Sequence, residues 1–223
     1  MNAVFVTGTD TGVGKTAITG LLARSLSEQG YNVITQKWVE TGTKGFSRDV
    51  SMHLRLMGKK KKDIKAYLPY VCPYTFPFAS SPHLASRLEK RVISVRKIKE
   101  SFNHLRKEFD IVIVEGVGGA LVPYNNKRLV IDIAKELGLP VIIVVGNKLG
   151  AINHTLLTIE ALQRRGMKII GIVINNLHRE NKIILDDNVK IIKQLTGIRV
   201  IETIQYGARE GNSGFRSIKK FLA

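Results

Sequence analysis

Short runs that are apolar on both faces recur along this chain at Ala3–Thr7, Asn32–Thr35, Ile111–Val114, Val141–Val145 and Ile169–Ile174. Helical patterns separate most of them: one from Lys15 through Ile18, Leu21, Leu22 and Leu26, then Val95–Phe109, Leu129–Leu137 and Ile152–Arg165. A strand buried on both faces needs cover on both sides, and strands joined by helices run parallel. The pattern therefore predicts an α/β fold, a single doubly wound domain over residues 1–223 with a mostly parallel sheet. A further helix at Lys182–Leu195 leads to a last short strand at Arg199–Thr203. Residues Lys44–Pro82 read as irregular, apart from a helix over Asp49–Met57. Ligands of such sheets bind beyond the carboxyl ends of the strands, where loop amides and helix N-termini gather. The segments following the strands, Gly8–Thr16, Lys37–Gly42, Glu115–Gly119, Gly146–His154 and Asn175–Asn176, are expected to share one rim.

Composition removes several alternatives. Among 223 residues, 44% are apolar and 24% charged, which fits neither a disordered chain nor a fibrous repeat. The longest near-continuous apolar stretch, Leu139–Val145, is far short of a membrane span, and the first residues lack a secretory signal. A cytoplasmic protein is expected. A single cysteine, Cys72, makes neither an intrachain disulfide nor a Cys-rich zinc site. The net charge of +17 suits a polyanion partner or simply a solvated basic surface. Beyond the run Lys59–Lys62 the basic residues are scattered and not interleaved with aromatics, which favours the solvated surface and makes nucleic acid binding unlikely.

Chemistry concentrates at the strand ends. Gly8-Thr9-Asp10-Thr11-Gly12-Val13-Gly14-Lys15-Thr16 lies between a strand and a helix. Glycines there let backbone N–H groups curl around a phosphate, the lysine reaches the outer phosphates, and the hydroxyl can bind Mg²⁺. The spacing is one residue longer than a standard Walker A motif, a deviant P-loop NTPase form whose core is Gly12-Val13-Gly14-Lys15-Thr16. Glu115, at the end of a buried strand before Gly116-Val117-Gly118-Gly119, is placed as a Walker B acid. Lys37 ends the neighbouring strand and could neutralise charge on a transferring phosphoryl group. Its loss is expected to stop catalysis and to leave the folded protein intact. Trp38 and Val39 read as packing residues.

These motifs, together with Lys37-Trp-Val-Glu-Thr-Gly42, Pro73-Tyr-Thr-Phe76, Ser81-Pro-His83 and Val144–His154, occur in an order and spacing that resembles the dethiobiotin synthetase family over nearly the whole chain. The resemblance implies a reaction of 7,8-diaminononanoate with CO₂ and MgATP to give dethiobiotin, ADP and phosphate. By position it implies catalytic roles for Lys15 and Lys37, and Mg²⁺ held by Thr16, Asp49 and Glu115. It further implies ATP contacts from Gly12, Val13, Gly14, Lys15, Thr16, Ala17, Asp49, Glu115, Gly116, Val117, Gly118, Asn175, Asn176 and Gln205, with Asn175 reading adenine. Substrate contacts would come from Thr11, Thr41 and Ser81. Gly150, Ala151, Ile152 and Asn153 would hold the substrate's carboxylate from the neighbouring subunit of a homodimer. Many relatives carry an acid where Gly12 stands. Asp49 is read either as a metal ligand or as a cap of its own helix. The runner-up reading is a partition-type ATPase that binds DNA, but the signature lysine of that class is replaced here by Asp10.

Overall fold

The structure, a computed structural model, describes residues 3–207 and Phe215. Its main sheet contains β1 (Ala3–Gly8), β2 (Val33–Lys37), β5 (Ile111–Glu115), β6 (Val141–Gly146), β7 (Ile169–Asn175) and β8 (Val200–Ile204). They lie in the spatial order β2-β5-β1-β6-β7-β8, and every pairing is parallel. The expected α/β doubly wound class is the one observed. The predicted strands and helices are all present with ends moved by a residue or two. One of these shifts matters: β2 runs on to Lys37, which pairs in register with Glu115 of β5.

Period-two alternation divides the strand side chains between two cores. Val4, Val6, Ile113 and Val144 face α1 (Lys15–Glu28), meeting Ile18, Leu22 and Leu26. Phe5, Ile34, Val112, Val114 and Ile143 face the other way, with α5 (Val95–Glu108) supplying Ile98, Phe102 and Leu105. That i, i+4, i+7 spacing is the apolar stripe of an amphipathic helix, opened by Ser94, whose hydroxyl accepts from the Lys97 N–H. The remaining helices of the main layers are α6 (Val130–Glu136), α7 (Ala151–Gln163) and α8 (Lys182–Thr196). No helix among the described residues is long and apolar enough to cross a membrane.

The segment expected to be irregular is more ordered than the sequence suggested. It holds α2 (Arg48–Leu56), a 3₁₀ turn at Lys61–Tyr67, α3 (Leu68–Val71) and α4 (Pro82–Leu88). It also contains a small parallel sheet of β3 (Val39–Thr41) and β4 (Tyr74–Phe76), with Thr41 opposite Phe76. Trp38, fully buried, stacks on Phe5 at 5.4 Å and donates from Nε1 to Gln36 Oε1, the packing role expected of it.

Because the main strands are parallel, their carboxyl ends form one edge. β1 lies inside the sheet, with β5 on one side and β6 on the other, so the crevice where the chain's winding reverses opens directly above Gly8.

Candidate active site

The loop leaving β1 is shaped by its glycines. Gly14 has φ +92° and caps α1 with no side chain, so the N–H groups of the first helical turn, through Ala17, stay available to an anion. A Cβ at Gly14 would collide with the Asn175 amide, which donates from Nδ2 to the Val13 carbonyl at 3.0 Å. Gly12, at φ +75°, supplies a second left-handed turn. Lys15 is buried and folds across the loop, its ammonium donating to the Asp10 carbonyl at 2.9 Å. Burial, helped by the charge of Lys37, lowers its pKa to about 8.

Beside the loop sits a buried cluster of charges. Lys37 is 3% exposed and Glu115 2%. The Lys37 ammonium lies 2.9 Å from Glu115 Oε1 and 2.7 Å from Asp49 Oδ2, and donates to the Gly116 carbonyl at 2.8 Å. Burial alone would strip its charge, but Glu115 and Asp49 outweigh that and hold the pKa above the usual lysine value. Burial likewise pushes the Glu115 carboxyl up. Lys37 and a hydrogen bond from His53 prevail and set it at about 2.

Thr16 Oγ1 is 3.0 Å from Glu115 Oε1 and 3.2 Å from Asp49 Oδ1. Three hard oxygens thus converge at the start of α1, the donor type that Mg²⁺ prefers. Among the described residues no group of three or more His, Cys, Asp or Glu is arranged to hold a metal unaided. This donor set fits Mg²⁺, which commonly takes one or two protein carboxylates and completes its shell with water and nucleotide phosphate.

Asp49 does not cap α2. Ser47 does, accepting from the Val50 N–H at 2.9 Å, while Glu40 accepts from the amides of Arg48 and Asp49. Glu40 also receives hydrogen bonds from Thr43 and Ser47, so one buried carboxylate ties down the whole approach to α2 and frees the Asp49 side chain. Sequence reasoning passed over Glu40, although it lies inside the Lys37–Gly42 motif. It also missed His53, one turn after Asp49 on the same face of α2. His53 is fully buried with Nε2 2.8 Å from Glu115 Oε2. An ionised carboxylate only accepts, so Nε2 carries the proton, and Nδ1 has no hydrogen-bond partner among the described residues.

The other candidate residues fall in two groups. Thr41 donates to the Ser80 carbonyl at 2.7 Å, which joins it to Ser81, whose Oγ meets His83 Nδ1 at 2.9 Å. Gly116 is pinned between strands, since a Cβ there would lie 2.9 Å from Phe5. Gly118, at φ +61°, turns Val117 and the following loop back towards Thr11. A cavity of about 310 Å³ lies between Thr9–Thr11, Ala120–Val122 and the His154 and Thr158 side of α7. Across the sheet, a chain of amides runs from Asn188 to Asn147 and Asn176, all buried, and on to the exposed Gln205, with links of 2.8, 2.8 and 3.0 Å. Asn147 lies within the Val144–His154 motif but was given no role from sequence, and Asn188 belongs to no motif read there. Gly150, at φ +87°, caps α7 without a side chain, as Gly14 caps α1, and Asn153 is exposed in its first turn. No hydrogen bond among the described residues connects Gly150, Ala151, Ile152 or Asn153 with the Lys37–Glu115 cluster.

Known proteins resemble this chain in sequence and in fold. A family model described as an AAA domain matches residues 2–209. ATP-dependent dethiobiotin synthetase BioD of Chlorobaculum tepidum is 44% identical over 132 residues, which are 58% of this chain and 54% of that protein. BioD 2 of Haemophilus influenzae is 40% identical over 131 residues, 58% of this chain and 67% of that protein. The chain spans between about half and two thirds of the length of the curated relatives it matches. Among solved structures, cobyrinic acid a,c-diamide synthase of Mycobacterium smegmatis with bound ADP and magnesium superposes with a TM-score of 0.59 at 17% identity, covering 100% of this chain and 94% of that one. MinD of Pyrococcus horikoshii with Mg-ADP gives 0.54 at 17% identity, covering 92% and 81%. At such identities these two show the P-loop NTPase fold alone. From the matched family model and the sequence relatives, the chain belongs to the AAA-domain family and, within it, to the dethiobiotin synthetases.

Proposed function

We propose that this chain catalyses the ATP-dependent carboxylation and ring closure of 7,8-diaminononanoate to dethiobiotin. The observation that carries the reading is the meeting of Lys15, Lys37, Thr16, Asp49 and Glu115 beyond the ends of β1, β2 and β5. In the proposed reaction one substrate amine adds to CO₂ and loses a proton to give a carbamate. A carbamate oxygen attacks the γ-phosphorus of ATP, and ADP leaves. The second amine attacks the carbamoyl carbon, closes the ureido ring and expels phosphate. Negative charge accumulates on carbamate and phosphate oxygens throughout, so fixed cations in a site shielded from water lower the barrier.

Lys15 serves the phosphates from within the loop. Lys37, already ionised against two carboxylates, stands ready at the end of β2, which is not the neighbour of β1 expected from sequence but is separated from it by β5. Thr16, Asp49 and Glu115 would hold Mg²⁺, which when bound neutralises phosphate oxygens. Asn175, with Nδ2 committed to Val13, keeps Oδ1 to accept from the amino group of adenine. Asn176 and Gln205 brace that side of the nucleotide site. Thr11, Thr41 and Ser81 line the path of the diamine. The uncapped turn Gly150–Asn153 suits a carboxylate, held for the neighbouring subunit in a homodimer. The whole chain acts as one domain in this reading, in the cytoplasm. Incubation with diaminononanoate, bicarbonate and MgATP should yield dethiobiotin by mass spectrometry. No product, with ATP hydrolysis stimulated by DNA instead, would transfer the assignment to the partition-type ATPases.

A further inference from the structure

A second concave site lies away from the phosphate loop, between the C-terminal end of α4 and the loop before α6. Its cavity of about 580 Å³ is lined by Arg87, Lys90, Arg91, Lys127 and Arg128, with no carboxylate among the lining residues. Two of these cations are committed elsewhere. Arg91 donates to the Thr75 carbonyl, lies 3.5 Å from Glu89 and covers the Phe76 ring, while Arg128 pairs with Glu136. Arg87, Lys90 and Lys127 have no ion-pair partner among the described residues. Their backbones are nevertheless fixed. Asn125 Oδ1 accepts from the N–H groups of both Lys127 and Arg128 at 2.9 Å, and the His83 N–H donates to the Pro123 carbonyl, which ties the loop to α4.

Basic side chains at the end of a helix can be explained by its dipole, which covers Arg87. The same dipole reaches Lys90, one residue past the C-cap, but does not account for its backbone. This residue has φ +53° and is the one non-glycine with positive φ among the described residues. It closes α4 in a Schellman turn: its N–H donates to the Arg87 carbonyl, and the Arg91 N–H donates to the Ser86 carbonyl at 2.9 Å. Glycine is the residue that fits such a position without strain. A lysine placed there at a cost in backbone energy, aimed at a cavity already holding unpaired cations, points to a ligand. Val92, 85% exposed, adds an apolar wall.

We infer that this pocket binds a small phosphate-bearing molecule with an apolar or aromatic body, recognised by Arg87, Lys90 and Lys127. The site is separate from the phosphate loop, and the inference does not depend on the synthetase reading.

Phenyl phosphate is a suitable probe, followed by ligand-observed NMR on the full chain saturated with a non-hydrolysable MgATP analogue, so that the phosphate loop is filled. Saturable binding is expected, weakened roughly tenfold or more in the Arg87→Gln/Lys127→Gln double variant, whose loss removes two charge-assisted contacts. Lys90→Gly separates binding from architecture: affinity should fall while the melting temperature rises, because the left-handed turn is relieved. Lys59→Gln/Lys60→Gln should bind as the parent does. Three results would overturn the inference: no saturable binding up to about 10 mM, equal affinity in the double variant, or equal binding of uncharged phenol.

Discussion

Removing the Lys37 side chain tests whether the buried charges at the strand ends act as one unit. Lys37→Ala deletes the cation that lies within 3 Å of Glu115 Oε1 and Asp49 Oδ2 and donates to the Gly116 carbonyl. Asp49 is 28% exposed at its side chain and is partly rescued by water, but Glu115, 1% exposed, is not. Breaking a buried pair by removing one partner costs about 3 to 5 kcal/mol, because a buried charge loses its countercharge; the hydrogen bonds from Thr16 and His53 to Glu115 remain but do not replace the ammonium. The expectation from sequence, a fold indifferent to Lys37, is therefore replaced by substantial destabilisation. Urea unfolding at neutral pH should show a loss in this range with an unchanged m-value. In the Lys37→Ala/Glu115→Gln double variant the stranded charge is gone, so stability should recover relative to the single variant. Mg²⁺ should raise the unfolding midpoint of Lys37→Ala more than that of the parent, since the competing cation has left the carboxylates. A loss below about 1 kcal/mol, typical of an exposed pair, or a double variant no more stable than the single one, would refute the reasoning.

Gly14→Ala should abolish nucleotide binding, because left-handed backbone costs a side-chain residue about 1–2 kcal/mol and the new Cβ also strikes the Asn175 amide. Adding Asn175→Ala should restore part of the stability and none of the affinity, measured by calorimetry with ATP. Lys15→Ala should weaken ATP binding with little change in fold. With its pKa near 8, Lys15 is charged below that pH and neutral above it, so ATP affinity should be flat below pH 8 and fall as pH rises through 8 towards 10. Cys72, half-buried, has its thiol pushed up by burial to about 12, so a thiol reagent at pH 8 should modify it slowly in the native protein and rapidly in urea. Asn153→Asp should raise KM for diaminononanoate and spare ATP binding.

What the sequence revealed and what it hid separate along physical lines. The phosphate loop was legible because its chemistry is local: glycines, a lysine and a threonine are held in order by the strand and helix on either side. Lys37 and Glu115 were legible as strand ends, since parallel strands bring their carboxyl ends to one edge. Their mutual contact depends on which strands are neighbours, and β2 lies beside β5, 78 residues away. Glu40 and His53 escaped notice for a related reason. Glu40 looks like an ordinary strand residue until α2 folds back over it, and His53 looks like one polar residue of a surface helix until Glu115 arrives from across the sheet. Asp49 stayed ambiguous because a carboxylate early in a helix serves capping and metal binding equally well, and Ser47 and Glu40 at the amides remove the capping role. The small sheet of β3 and β4 was hidden by its length, three residues a strand, and by the proline-rich approach to β4.

The most direct test of the proposed chemistry follows an oxygen atom. If a carbamate oxygen attacks the γ-phosphorus, one oxygen of CO₂ must leave with the phosphate when the ring closes. The protein is mixed with freshly supplied C¹⁸O₂, diaminononanoate and MgATP and quenched before label exchanges with water, and the products are weighed by mass spectrometry. The account predicts dethiobiotin and, in equal amount, phosphate carrying one ¹⁸O, with neither formed by Lys37→Ala. Dethiobiotin accompanied by unlabelled phosphate would contradict it, because the phosphoryl group would then have passed to water and not to the carbamate.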